Sequence, residues 1–93
     1  MSLIPPIKTN PKTVELARRL SDLHEAYIQE CMNVLRMVQR RDSDAERHAL
    51  DLDKAEHDLG RAGKYLAHCI LHDDSHEEME RCLDSAEKLI KGL

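Results

Sequence analysis

The chain has 93 residues and a formal net charge of -4, with 41% hydrophobic and 34% charged residues, two tyrosines and neither Phe nor Trp. This composition predicts one small domain, residues 1–93, with an aliphatic core, and the scarcity of aromatic and β-branched residues favours helices over a sheet. The acidic balance, without a cluster of Lys and Arg, argues against a nucleic-acid partner. No run of about 18 apolar residues is present, so no membrane partner is expected.

The first helix is predicted over about residues 11–41. Asn10 can cap the first free amides with its side chain, and Pro11 has no amide to satisfy at the first helical position. Behind them, apolar residues recur at the three- and four-residue steps that line one helix face: Leu16, Leu20, Leu23, Tyr27, Cys31, Val34 and Val38. Residues 1–10, which contain Pro5 and Pro6, are expected to be extended.

The second helix is predicted over about residues 44–72, opened by a capping box from Ser43 to Glu46. Its inward face is expected to consist of two seam rows, Ala45, Leu52, Leu59, Leu66 and His48, Ala55, Ala62, Cys69. Gly60 and Gly63 fall inside it, each at a cost of about 1 kcal/mol relative to Ala. The helix therefore bends or stops there, or a neighbouring backbone packs closely against it; we expect one continuous helix.

The third helix is predicted over about residues 76–91. A second capping box, Ser75 to Glu78, precedes it, and Gly92 is expected to be its C-cap. Its apolar stripe consists of Met79, Cys82, Leu83, Ala86, Leu89 and Ile90.

The three predicted lengths define an all-α, up-down-up three-helix bundle. At about 1.5 Å per residue, the first two helices each span roughly 45 Å and the third only about 24 Å. Because short connections produce antiparallel neighbours, the long helices form a hairpin. The third helix should lie against the first half of helix 1 and the second half of helix 2, which leaves the other end of the hairpin uncovered.

A second apolar stripe on helix 1 lies beside the seam at that uncovered end. It consists of Ile28, Met32 and Leu35, and a contact between two helices needs only one stripe. We therefore expect these three residues to form an interface in a homodimer, the commonest closed assembly. The alternatives are that the third helix reaches further along the hairpin, or that these side chains are ordinary exposed apolar residues.

The six histidines raise the question of a metal site. His68 and His72 are one helical turn apart and His76 follows across the predicted turn, so the three could bind a divalent metal. The competing interpretation places them on a solvated face and a polar turn, and under it no cofactor is expected. His24 lies within the apolar stripe of helix 1 and is expected to be a buried histidine with one hydrogen-bond partner.

Residues His57 to Arg61 resemble the motif of histidine phosphotransfer domains, in which a helix of an antiparallel bundle carries an exposed His, a Leu, a basic residue and a Gly. The resemblance implies that His57 accepts the phosphoryl group, that Arg61 offsets its charge and that Gly60 leaves room for a receiver protein to dock. Here the glycine and the basic residue are transposed, and acidic Glu56 and Asp58 flank the histidine.

Three cysteines, an odd number, suit a reducing compartment. No signal-peptide pattern opens the chain, so a cytoplasmic location is expected. No phosphate loop or nucleophile motif is present. The sequence thus favours a non-enzymatic protein-protein interaction or regulatory module that dimerises and contacts a further protein. The alternative is a phosphotransfer-like or metal-binding helical bundle.

Overall fold

The computed structural model describes residues 10–92, which form three helices and no strand within that range. Helix α1 spans Pro11–Gln39, α2 spans Ala45–His72 and α3 spans His76–Lys91, with 29, 28 and 16 residues. The predicted all-α three-helix bundle is confirmed. The predicted extended segment, residues 1–10, lies outside the described residues except for Asn10.

The start of α1 follows the sequence signal. The Asn10 side chain accepts a hydrogen bond from the Lys12 amide at 2.9 Å, and Pro11 occupies the first helical position. The helix ends two residues before the predicted limit, because Arg41 takes a left-handed conformation with φ of 57°. A left-handed residue cannot continue a right-handed helix, so the chain turns towards α2 at this point.

Neither predicted capping box forms. The N-cap of α2 is Asp44, whose own amide donates to the Asp42 carboxylate at 2.9 Å, so Ser43 is left in the turn. Ser75 does occupy the N-cap of α3, but it is left-handed (φ of 68°) and its hydroxyl donates to the Asp74 carboxylate. In the first turn the helix begins one residue later than the box requires, and in the second the Asp74 carboxylate engages the Ser75 hydroxyl that the box would use, which corrects the two capping predictions.

The core lies where all three helices meet. Leu16, Met79 and Leu83 are fully buried. Small residues belong to the same buried cluster, with Ala55, Ala62 and Ala86 at 0% exposure, which lets the helix axes approach closely. The predicted seam of α2 and stripe of α3 are buried or half-buried throughout.

One position of the predicted α1 seam is wrong. Val38 is exposed, and Met37 is buried in its place. The Met37 sulfur lies 3.2 Å from Nδ1 of His48 on α2, so the thioether closes the end of the hairpin. The seam therefore takes a three-residue step after Val34 instead of the expected four.

Polar contacts fix the place of α3 on the hairpin. Near its start, Thr13 Oγ1 and His76 Nε2 lie 2.7 Å apart, and further along Arg19 donates to Asp84 at 2.6 Å and to Glu87 at 2.9 Å. Helix α3 thus runs parallel to α1 and ends level with about residues 23–26 of it. This confirms the predicted placement and leaves the second half of α1 without cover from α3.

Helix α2 continues through both internal glycines. A Cβ atom built on Gly60 or Gly63 would meet nothing within 4 Å. The alternative of a closely packed neighbouring backbone is therefore wrong within residues 10–92, and the glycines lie in open space.

Candidate functional site

The second stripe of α1 is exposed to solvent. Ile28, Met32 and Leu35 are 45%, 48% and 58% exposed, and Val38 joins them at 57%. Because α3 ends before this stretch begins, α3 does not cover these side chains. The alternative in which α3 reaches further along the hairpin is excluded. Four large aliphatic side chains on adjacent turns of one helix form an apolar strip of the kind that marks protein contacts; we call it the α1 strip.

A row of charged residues borders the α1 strip on the side away from α2. Asp22 and Glu25 lie within the two turns before Ile28, and Arg36 and Arg40 lie at the C-terminal end of the strip, all exposed. Their spacing in multiples of three and four residues keeps them on one flank of the helix. The flank is therefore acidic at Asp22 and Glu25 and basic at Arg36 and Arg40, with the exposed Arg18 one turn before Asp22 on the same flank.

An open groove of about 520 Å³ runs along the junction of α1 and α2, and it is lined by these two helices alone. Within it, the Tyr27 hydroxyl donates to the Glu56 carboxylate at 3.1 Å. Hydrogen bonding with the Cys31 thiol, partial burial and the bond to Glu56 raise the pKa of the Tyr27 phenol, which therefore stays protonated. The groove walls are mostly apolar.

His24 lies at the rim of this groove and is exposed, so the prediction of a buried histidine is wrong. Leu20, Leu23 and Tyr27 take the inward positions, and the helical step of about 100° per residue turns His24 away from the seam. Its ring centroid lies 6.2 Å from that of Tyr27. The imidazole is thus a surface group beside an aromatic ring.

The three histidines of the proposed metal site do not converge. The rings of His68 and His72 lie side by side on α2, with centroids 5.6 Å apart. His76 instead faces α1, where it bonds to Thr13. Within residues 10–92 no three side chains among His, Cys, Asp and Glu are grouped so that they could hold a metal ion. The structure thus corrects the expectation that His76 would join the pair.

His57 is exposed on α2, as the resemblance to phosphotransfer domains implies. It borders a shallow depression of about 410 Å³ that also carries the acidic side chains Asp53 and Glu56 and the basic side chains Arg61 and Lys64. The two carboxylates lie on the same surface as the imidazole. They would repel an incoming phosphoryl group, while the two cations would attract it.

All three cysteines are free thiols. Cys31 is half-buried and borders a small open cavity with Leu52 and Glu56 of α2. Cys69 and Cys82 are buried among apolar side chains, and burial raises the pKa of both thiols. They serve as small apolar residues of the core.

No protein-family model, no curated protein and no solved structure matches this chain. Of the helices within residues 10–92, none combines the length and the apolarity needed to cross a lipid bilayer.

Proposed function

We propose that this protein is a small, non-enzymatic interaction or regulatory module of the cytoplasm that works by pairing with a second copy of itself through the α1 strip. The observation that carries the proposal is the exposure of Ile28, Met32 and Leu35 on one face of a helix that α3 leaves uncovered. The three free thiols support a reducing location.

The energy available from the strip supports a reversible dimer. Full burial of an aliphatic side chain stabilises by about 1.5–3 kcal/mol, so a half-exposed side chain still has about half of that to gain. Four such residues on each of two protomers contribute about 6–12 kcal/mol, against an association cost of about 4–15 kcal/mol. The two ranges overlap, so the strip supports a weak dimer whose population varies with protein concentration, which suits a regulatory role.

A pair of charge substitutions tests the proposal. Ile28→Glu with Leu35→Glu removes about 3–6 kcal/mol of burial from the dimer, equivalent to a rise in Kd of about 10²–10⁴-fold. In sedimentation or light-scattering measurements we expect the wild type at twice the 10.7 kDa chain mass and this variant at the mass of one chain.

The matched control is Ile70→Glu with Leu71→Glu, which places the same chemistry on exposed apolar residues of α2 at the other end of the molecule. The control should remain dimeric. Far-UV circular dichroism confirms that both variants fold. A wild type that stays at the mass of one chain up to millimolar concentration, or an α1-strip variant that still dimerises, overturns the proposal.

A further inference from the structure

We infer that the two copies pair through antiparallel α1 helices about a two-fold axis between residues 31 and 32, and that the acidic-to-basic flank of α1 sets this register. The inference rests on the proposed function, since it requires that the α1 strip binds a second copy. It adds the orientation, the register and the residues that select the partner.

Three of the four strip residues, Ile28, Met32 and Leu35, have the symmetry that this arrangement needs, and Val38 lies outside the symmetric part, level with the partner's Glu25. Ile28 and Leu35 are equally far from the midpoint between Cys31 and Met32 along the helix. A two-fold axis through that midpoint, perpendicular to α1, therefore places Ile28 beside the partner's Leu35 and Leu35 beside the partner's Ile28. Met32 lies at the axis. The same patch thus meets itself, as an isologous contact requires.

The charged flank is complementary to itself under the same operation. In an antiparallel pair the two-fold axis brings the same flank of both helices together. Glu25 then lies level with the stretch between the partner's Arg36 and the partner's Arg40, offset from each by about 3 Å along the axis. Asp22 lies level with the residue after the partner's Arg40. Each end of the contact gains opposite charges, and the basic half of one copy meets the acidic half of the other.

This complementarity favours a second copy over a helix whose flank carries only one sign of charge. A foreign helix with an acidic flank would match Arg36 and Arg40 but would meet Asp22 and Glu25 with like charge, and a basic helix would do the reverse. A flank that changes sign along its length matches both halves at once. Electrostatic complementarity of this kind fixes register and suppresses wrong partners.

In a parallel pair the charged flanks of the two copies would not contact each other. A two-fold axis parallel to α1 would place the charged flank of one copy against the opposite flank of the other, and that side of α1 is where α2 packs. The Tyr27 to Glu56 hydrogen bond and the Met37 to His48 contact mark this α2 side of the helix. The charges would then face a covered side, whereas the antiparallel pair keeps both copies of α2 away from the charged rows.

Two charge variants test the register. Arg36→Glu with Arg40→Glu makes all four of these flank positions acidic, and Asp22→Lys with Glu25→Lys makes all four basic. We expect each variant alone to dimerise at least tenfold more weakly than the wild type, and an equimolar mixture of the two to form a heterodimer of near wild-type affinity. The difference should shrink in 1 M salt, where the screening length falls to about 3 Å.

The control for total charge is Lys54→Glu with Lys64→Glu, which changes two exposed cations of α2 in the same sense and should dimerise like the wild type. Cross-linking gives an independent readout in a Cys31→Ser background. Met32→Cys, next to the axis, should form a disulfide-linked dimer. Ile28→Cys should not, because two copies of that residue lie about 10 Å apart along the axis, beyond disulfide reach.

The outcomes separate the two proposals. If the charge variants dimerise like the wild type, or if Ile28→Cys links as readily as Met32→Cys, the antiparallel register is wrong while loss of dimer in the strip variant still upholds the proposed function. If the wild type is a monomer, both are wrong. Restored pairing in the mixture, together with selective linking at residue 32, supports the register.

Discussion

Replacing both internal glycines of α2 with alanine should stabilise the protein. Gly costs about 1 kcal/mol relative to Ala within a helix. Neither Gly60 nor Gly63 has a positive φ, and an added Cβ at either meets nothing within 4 Å. No steric penalty offsets the gain, so Gly60→Ala with Gly63→Ala should raise the free energy of unfolding by about 1.5–2 kcal/mol. For a domain of this size the melting temperature should rise by about 6–16 °C.

Gly92→Ala is the matched control, because a Cβ there would lie 2.8 Å from the carbonyl oxygen of Lys88, and we expect it to give no gain in stability. Urea unfolding followed by circular dichroism measures the wild type and both variants at one fixed protein concentration, because dimerisation makes apparent stability depend on concentration. A double variant that is no more stable than the wild type refutes the reasoning. That result would mean that the glycine face of α2 is closely packed in solution.

Two further predictions concern ionisation and thiol access. Hydrogen bonds from Lys91 and Arg19 hold the pKa of the Glu87 carboxyl below its usual 4.5, so this carboxylate stabilises the fold above that pH and the contribution is lost as the pH falls through the folded pKa. Glu87→Gln should therefore be less stable than the wild type at neutral pH, and urea unfolding should show the difference vanishing at strongly acidic pH; a constant difference contradicts this. With a thiol reagent at pH 8, Cys31 should react fastest in the folded protein, and the two buried cysteines only after unfolding. Equal rates for all three would show that the core is not closed around them.

The sequence determined the helices more completely than the turns between them. The interior of each helix follows from a long apolar period, and the helix bounds lie within two residues of prediction because Asn10 and the left-handed Asp73 end the pattern sharply. The turns depend on competition among adjacent polar groups. The sequence allowed Ser43 to cap α2, but Asp44 is the N-cap and its amide donates to the Asp42 carboxylate. A hydrophobic period does not tell which of several adjacent polar groups forms the hydrogen bond.

The errors on α1 have a geometric origin. An α-helix has 3.6 residues per turn, so a seam drifts by about 20° per heptad, and over eight turns the drift decides which of two adjacent residues faces inward. At the hairpin end Met37 faces inward, where its sulfur contacts the His48 ring. His24, one residue after Leu23, is turned outward by the same geometry.

The candidate site was predictable in its apolar part only. Ile28, Met32 and Leu35 are recognisable as an extra stripe from their spacing. The charged residues of the flank are also visible in the sequence. That Asp22 and Arg40 share one exposed flank follows only once the length of α3 and the side of α1 occupied by α2 are known. The predicted grouping of His76 with His68 and His72 was wrong because His76 begins a new helix. Sequence spacing does not specify the direction of that helix.

The short third helix also gives the molecule a gradient of local stability along its length. Backbone amides near Leu16 and Leu83 can exchange with solvent only when the three-helix core opens, whereas those of α1 beyond Met32 are held by one neighbouring helix and need only a local opening. In hydrogen-exchange measurements the protected amides should therefore cluster at one end of the monomer. Pairing along α1 would add protection to the other end. Amide exchange in the half of α1 that carries the strip should therefore slow as the protein concentration rises.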